Sequence, residues 1–245
     1  MLIVPQNSLT AEDLAARYLQ VRASIVAAAS AAGRNEDCVT LLAVSKGRSA
    51  NTVRMLAHLG VDNFGENYLQ EAVPKLEALA GLELIWHYIG RLQANKTRTV
   101  AERFAWVHGL DRLRIAERLS SQRPTAAVPL NVCVQVKLVN IAGRSGVGSA
   151  EVTALAKAVA QLPNLRLRGL MCMLPEGLHA PRQLELFGEV RSLYEQLHRS
   201  GARLDTLSMG MSGDFPLAIA AGSTMVRIGT ALFGALASPE TALEK

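Results

Sequence analysis

Short apolar runs alternate with helical segments along almost the whole chain, and this repeat constrains the fold more than any other feature. Eight runs have the length and composition of buried strands: residues 39–45, 62–65, 84–90, 104–109, 129–136, 165–173, 205–210 and 224–228. Helical patterns lie between them, at residues 51–59, 67–79, 111–121, 151–162 and 182–199. About eight strand-then-helix units predict a parallel sheet closed into a (β/α)8 TIM-type barrel.

A doubly wound open sheet is the structural alternative. The barrel is favoured because the eighth strand lies almost at the end of the 245-residue chain, which leaves no room for further layers. Residues 9–32 carry apolar side chains at helical spacing, so they predict a leading helix that serves as a lid or a bottom plug. Since no linker divides the chain, we expect residues 1–245 to form a single domain, with a loose tail at 237–245.

Composition indicates a globular protein of a reducing compartment. Hydrophobic residues make up 49% and charged residues 19% of the chain. The three cysteines, Cys38, Cys133 and Cys172, are far apart in apolar surroundings, which favours reduced core thiols over disulfides or a metal site. Because the sequence starts without a signal-peptide pattern and has no run of 18 apolar residues, we expect a cytoplasmic protein without a membrane segment.

The net charge of +5 is compatible with an anionic ligand. A nucleic-acid footprint would require a stripe or patch of basic residues, and here they are scattered without interleaved aromatic side chains. We therefore do not expect nucleic-acid binding.

Polar residues follow the predicted strands at their carboxyl ends, which is where barrel enzymes and binding proteins hold their ligands. The positions are Lys46, the segment 65–67 (GEN), the segment 86–96 (WHYIGRLQANK), His108, the segment 208–214 (SMGMSGD) and the segment 227–230 (RIGT).

Each of these features also has an ordinary structural explanation. Lys46 is compatible with a solvated loop, and Asn67 with a helix cap. His87 and His108 fit satisfied core histidines, since no ligand-like spacing indicates a metal site. The segment 143–148 (GRSGVG) lacks the Lys-Ser/Thr ending of a phosphate loop, so it is interpreted as a turn.

The loops after the seventh and eighth strands predict a phosphate site. Ser212 and Gly213 precede a helical stretch, and Gly229 and Thr230 follow the last strand. Barrels commonly bind phosphate between these two loops with backbone N–H groups. Ring closure places the first strand beside the eighth, so Lys46 becomes a candidate to form a Schiff base with an aldehyde whose phosphate occupies that site.

Six segments in order along the chain resemble a known family: LLAVSK, FGENYLQEA, WHYIGRLQANK, LRLRGLMCM, LSMGMSGD and AIAAGSTMVRIGTALFG. Together they resemble the pyridoxal phosphate homeostasis proteins, single-barrel proteins similar to the N-terminal barrel of alanine racemase. The resemblance covers nearly the whole chain and is most specific at Lys46, at 208–214 and at 225–234.

The resemblance implies a role for each matched position. Lys46 would carry pyridoxal 5'-phosphate covalently, and Arg227 would face the pyridine nitrogen. Asn67 and His87 would line the pocket. The phosphate would be held by the Ser212 side chain and by the backbone of Gly213, Gly229 and Thr230.

Some positions depart from the family pattern. Gly47 and Arg48 stand where the family usually has Thr after the lysine, and Arg144 replaces a usual Lys. Arg91 stands where His is common, and Gly213 where a second acidic residue is common. These departures concern the pocket entrance and phosphate exchange rather than binding itself.

The expected function is to carry or buffer the cofactor without turnover. Guanidinium only donates hydrogen bonds, so Arg227 would leave the pyridine nitrogen unprotonated and weaken the ring as an electron sink. The second base of a racemase, a tyrosine from a further domain, has no counterpart in this sequence. We expect a monomer in intracellular pyridoxal phosphate homeostasis, with cofactor-dependent apo-enzymes as possible recipients. A weak amino-acid racemase or lyase, or a cofactor-free barrel enzyme acting on a sugar phosphate, are the alternatives.

Overall fold

The predicted barrel is the fold of this protein. The computed structural model describes residues 9–139 and 145–235, and parallel strands form a closed ring surrounded by helices. Strands β1 to β9 are, in chain order, Thr40–Val44, Asn63–Glu66, Ile85–Tyr88, Trp106–Leu110, Leu130–Lys137, Val147–Gly148, Leu165–Cys172, Thr206–Ser208 and Met225–Ile228. Eight of them make the ring, and the two-residue β6 pairs with the end of β5. All eight predicted strands are confirmed.

The ring closes where the first and last strands meet. Thr40 lies opposite Met225 and Ala43 opposite Ile228, in parallel register. The β4–β5 pairing completes the circle on the other side. This closure brings the residues that follow β1 next to those that follow β9, as the phosphate-site prediction requires.

Helices follow the strands around the outside. Helices α1 to α9 are, in chain order, Ala11–Ala31, Ala50–His58, Leu69–Ala78, Thr97–Arg103, Leu113–Gln122, Ser149–Ala160, Ala180–Arg199, Phe215–Ala220 and Thr230–Phe233. The sequence pattern does not delimit α4, α8 or α9, because four to seven residues are too few to establish a helical period. Among the described residues, no helix is long and apolar enough to cross a membrane.

The leading helix α1 packs on the outside of the barrel. Thr10 and Asp13 form a capping box at its start, and its buried side chains, Leu14, Val21, Ile25 and Ala29, recur at helical spacing. It packs mainly against α8 and α9, and also against α2. The expectation of a lid or bottom plug was wrong. The short helices α8 and α9 leave apolar surface uncovered, and α1 covers it.

The inside of the barrel mixes apolar and polar side chains. Leu42, Ile89 and Met225 form one apolar cluster there, and Trp106, Cys133 and Met171 form another. Four buried polar residues, His87, His108, Ser208 and Arg227, are hydrogen-bonded to one another in series. In this part of the barrel, hydrogen bonds as well as packing therefore fix the orientation of the interior side chains.

The cysteines are free thiols. Cys133 and Cys172 are buried, and burial raises the pKa of each thiol to about 12, while Cys38 is half-buried. The predicted tail at 237–245, Arg144 and the start of the predicted turn at 143–148 lie outside the described residues.

Candidate functional site

One cleft at the carboxyl ends of the strands brings together seven of the eight predicted site residues: Lys46, Asn67, Ser212, Gly213, Arg227, Gly229 and Thr230. Its volume of about 530 Å³ lies within the range of roughly 300 to 1,000 Å³ that small-molecule sites occupy. Apolar side chains form much of the wall, among them Val44, Ile89, Met173, Pro175 and Met211. A second cleft shares part of this wall and adds Arg91 and Gln135.

Lys46 follows β1 directly and lines the cleft at the point where the first and last strands of the barrel meet. Its side chain is exposed and makes no hydrogen bond within the part of the chain that the structure describes. Gly47 has φ +68°, a left-handed conformation that glycine adopts at little cost. The turn that follows the lysine therefore carries no steric cost at Gly47.

The loop after β8 offers hydrogen-bond donors to an anion. Gly210 has φ +92°, and a Cβ there would lie 2.8 Å from Phe215 Cα, so the loop needs glycine to turn. Ser212 Oγ accepts a 3.2 Å hydrogen bond from the Ala231 amide at the start of α9, which joins the two predicted phosphate loops. Within the described chain, the backbone amides of Ser212 and Gly213 donate no hydrogen bond. These amides suit a phosphate.

Arg227 is buried, and three hydrogen bonds fix the orientation of its guanidinium group. Its Nη1 donates to the Ser208 carbonyl at 2.6 Å and to Ser208 Oγ at 2.8 Å, and Nη2 donates to the Cys172 carbonyl at 2.7 Å. Nε makes no hydrogen bond to any described residue. Burial lowers the pKa of this guanidinium, yet an arginine stays charged and remains a donor. The cleft therefore presents a donor rather than an acceptor at this point.

Asn67 contributes an acceptor without a partner. Its Oδ1 is buried and makes no hydrogen bond within the described residues. The alternative that Asn67 caps a helix is wrong, because the N-cap of α3 is Tyr68. A buried polar atom without a partner costs free energy, so a ligand donor at this point would be stabilising. This orphaned oxygen favours a bound group in the cleft.

The structure does not place His87 in the cleft. It lies deeper in the barrel on β3, where it is fully buried and stacked on Trp106. Its Nε2 contacts Asn63 Oδ1 at 2.8 Å, and its Nδ1 contacts His108 Nε2 at 2.9 Å. The interpretation of His87 and His108 as satisfied core histidines is confirmed, and the predicted pocket role of His87 is corrected. Ile89, two residues farther along the same face, lines the cleft instead.

The contacts of these histidines define a single set of tautomers. Asn63 Nδ2 donates to Asp62 Oδ1 at 2.6 Å, so Asn63 Oδ1 must accept from His87 Nε2–H. His87 Nδ1 then accepts from His108 Nε2–H, and His108 Nδ1 accepts from the Ser208 hydroxyl at 2.9 Å. We call this series, from Arg227 through Ser208, His108, His87 and Asn63 to Asp62, the interior relay. Both histidines are neutral in it.

Burial lowers the pKa of His87 to about 3, and it lowers the pKa of His108 well below its usual value, with His87 and Arg227 adding to the effect. Below about pH 6.5 these two histidines become protonated in the unfolded chain but stay neutral in the folded protein. Their contribution to stability is therefore complete above pH 6.5 and is lost as the pH falls from there toward 3.

We expect the free energy of unfolding to fall with decreasing pH below about 6.5, by about 1.4 kcal/mol per pH unit for each of the two histidines. Urea unfolding at several pH values between 7.5 and 5 measures this slope. His87→Gln should lower this slope by about 1.4 kcal/mol per pH unit, because the variant lacks one of the two buried imidazoles. An identical slope in native protein and His87→Gln would contradict the assignment.

One wall of the cleft was not predicted from the sequence. Residues 173–177, in the loop after β7, line it together with Gln183. The signal was present, because this loop follows a predicted strand at its carboxyl end, but it lacks the glycine and serine pattern of the phosphate loops.

Comparisons with known proteins agree with this geometry. Residues 20–237 match the family described as alanine racemase, N-terminal domain. An alanine racemase structure from Clostridium difficile, 13% identical, superimposes with a TM-score of 0.74 over 94% of this chain and 58% of that one, which shows a shared fold. The class is thus the alanine racemase type of barrel.

Relatives at higher identity define the family within that class. Pyridoxal phosphate homeostasis proteins of Pseudomonas aeruginosa and Escherichia coli are 52% and 48% identical over 93% and 91% of this chain, and over 96% and 97% of their own lengths. PipY of Synechococcus elongatus, solved with pyridoxal phosphate bound, is 37% identical with a TM-score of 0.80 over 90% of this chain and all of that one. The chain belongs to the pyridoxal phosphate homeostasis protein family.

Proposed function

We propose that this protein binds pyridoxal 5'-phosphate covalently through Lys46 and carries or buffers the cofactor without turnover. The observation that carries the proposal is the meeting, in one cleft, of an exposed lysine, two unpaired loop amides and a buried arginine. Pyridoxal phosphate supplies an aldehyde that reacts with an amine, a phosphate dianion and a ring nitrogen that accepts a hydrogen bond. The three features of the cleft match these three groups.

The residues of the cleft divide the work of holding the cofactor. Ser212 and the backbone of Gly213, Gly229 and Thr230 would bind the phosphate, and Arg227 would donate to the ring nitrogen. Asn67, whose buried Oδ1 lacks a partner, would accept a hydrogen bond from the ligand.

The relatives support the wider role. The curated relatives are named for pyridoxal phosphate homeostasis rather than for a reaction, and we propose the same role here, with transfer to cofactor-dependent apo-enzymes. The free thiols support a reducing compartment, the cytoplasm, as the place of action. The monomeric state that we propose is checked by light scattering.

The phosphate contacts give a quantitative test. Purified protein should bind pyridoxal phosphate and develop the visible absorbance of a lysine adduct, while pyridoxal should bind far more weakly. Ser212→Ala should weaken retention by about 1.5 to 3 kcal/mol, the usual worth of a hydrogen bond to a charged group, which corresponds to roughly 10- to 100-fold in Kd.

Ser192→Ala is the matched control, because Ser192 is exposed on α7 and does not line the cleft. Its affinity should equal that of the native protein. Equal affinities for pyridoxal phosphate and pyridoxal would refute the phosphate site, and a protein that binds neither would refute the proposed function.

A further inference from the structure

A buried ion pair beside β1 holds the backbone immediately before Lys46. Glu66, at the end of β2, accepts from Lys75 Nζ at 2.6 Å through Oε1, and the two side chains are only 0% and 8% exposed. The same oxygen accepts from Ser45 Oγ at 2.6 Å. Lys75 Nζ also donates to the Ser45 carbonyl at 2.7 Å. The pair therefore contacts both the side chain and the main chain of the residue that precedes the lysine.

A second carboxylate holds the backbone immediately after Lys46. The Gly47 amide donates to Glu71 Oε2 at 2.6 Å, and Glu71 lies in the first turn of α3, one turn before Lys75. The Ser45 amide is itself paired with the Gly65 carbonyl at 3.0 Å. One strand-helix unit, β2 and α3, thus fixes the chain on both sides of Lys46, and none of the three charged residues that make these contacts lines the cleft.

These contacts are better suited to positioning the backbone around Lys46 than to stabilising the fold. A buried ion pair contributes little net stability, because the cost of desolvating two charges offsets their attraction, whereas its geometry is highly specific. Glu66 Oε2 is moreover buried without a partner among the described residues, which adds to that cost. The contacts converge on the residues flanking Lys46, whose own side chain is left free of hydrogen bonds.

We propose that the Glu66–Lys75 ion pair and Glu71 are positioning residues that aim Lys46 at the reacting aldehyde. The inference rests on the proposed function for the identity of that aldehyde. In the step, the neutral Lys46 amine adds to the aldehyde carbon, a carbon–nitrogen double bond forms, and the aldehyde oxygen leaves as water with the two amine protons. Loss of the positioning contacts slows this step and leaves the phosphate and ring contacts in place.

Two variants remove the contacts in different ways. Lys75→Met alone leaves a carboxylate buried without its cation, so the double variant Glu66→Gln/Lys75→Met removes both charges together. Glu71→Gln changes the Gly47 contact at a half-buried position and disturbs no buried charge. Glu77→Gln, on the exposed side of the same helix, is the matched control.

Stopped-flow absorbance with saturating pyridoxal phosphate measures formation of the Lys46 adduct. We expect the double variant to slow it by about 10- to 100-fold, as small misplacements of a reacting group do, and Glu71→Gln to slow it less. The affinity for 4'-deoxypyridoxine 5'-phosphate, which has no aldehyde, should stay within about twofold of the native value, because that ligand needs the cleft but not Lys46. Glu77→Gln should change neither quantity.

A third measurement needs no ligand. Hydrogen exchange of the peptide that spans residues 42–49 should be faster in the double variant and in Glu71→Gln than in native protein or Glu77→Gln. Native adduct rates in the folded variants, or a parallel loss of affinity for the deoxy analogue, would overturn the positioning role. If native protein forms no adduct, the proposed function fails, and unchanged exchange at 42–49 would then overturn the positioning contacts independently.

Discussion

Lys46→Ala should abolish covalent retention of pyridoxal phosphate while the fold remains intact. The side chain is exposed and makes no hydrogen bond within the described residues, so its removal should change the free energy of unfolding by no more than about 0.5 kcal/mol. The proposed phosphate and ring contacts do not involve this side chain, so they should persist in the variant. We therefore expect weak, reversible binding without the visible absorbance of the adduct.

The measurement is borohydride reduction followed by peptide mass mapping. Reduced native protein should carry the cofactor mass on the peptide that contains Lys46, and the variant should show background labelling. Lys157→Ala removes an exposed lysine from α6, away from the cleft, and should behave like native protein. Stoichiometric modification of another lysine in the native protein would contradict the assignment of Lys46.

Exchange of the α-proton of L-alanine should stay near background in the cofactor-loaded protein. Negative charge that develops at the α-carbon is best absorbed by a protonated ring, and Arg227 in its proposed role would offer the ring nitrogen only a donor. The tyrosine that the resemblance implies as the second base of a racemase has no counterpart among the described residues that line the cleft. Its carboxylates are Glu176, which is exposed, and Asp214, which accepts a 2.6 Å hydrogen bond from the Met211 amide. No tyrosine or histidine lines it.

The experiment follows deuterium at the α-carbon and the appearance of D-alanine in heavy water. General acid-base assistance alone is worth about 10² to 10⁴ in rate, so the loss of both features predicts activity far below enzymatic turnover. Rates of about 1 per second or more, which are typical of enzymes, would overturn the carrier function and favour the racemase alternative.

Two variants, Arg227→Glu and Arg227→Lys, test how the residue at position 227 affects exchange of the α-proton. Glutamate can favour a protonated ring nitrogen, so this variant should gain slow exchange that native protein lacks. Lysine keeps a cation that only donates, and it should gain none. Retention of the cofactor by both variants, checked by absorbance, shows that the site is intact. Equal exchange in the two variants would argue against the role of the arginine.

The sequence predicted the elements and the location of the site because both follow local rules. Short apolar runs identified all eight ring strands. The barrel rule then placed the candidate segments at carboxyl ends of strands, and the structure brings into one cleft seven of the eight residues to which the resemblance assigned a role.

The depth of a side chain along its strand was not predictable in the same way. His87 and Ile89 share the inner face of the third strand and its extension, and period two cannot distinguish them. At about 3.3 Å per residue, one lies some 7 Å deeper than the other. That displacement moves His87 from the cleft into the interior relay.

Contacts between elements also escaped the sequence analysis. Glu66 belonged to a recognised motif, but its partner Lys75 is a helical residue whose role depends on how α3 packs against β2. Nothing in the local pattern distinguishes Lys75 from an ordinary solvated lysine.

The interior relay couples the hydrogen-bond donor that Arg227 presents to the orientation of five other residues in the barrel. Every hydrogen in it points from Arg227 toward Asp62, a cation at one end and a carboxylate at the other. An acid in place of Arg227 would need the Ser208 hydroxyl to turn round, both histidines to exchange tautomers and the Asn63 amide to flip away from Asp62. A change from arginine to an acid at this position therefore rearranges four other residues at once, and a lineage that made it would lose stability unless other residues of the relay changed as well.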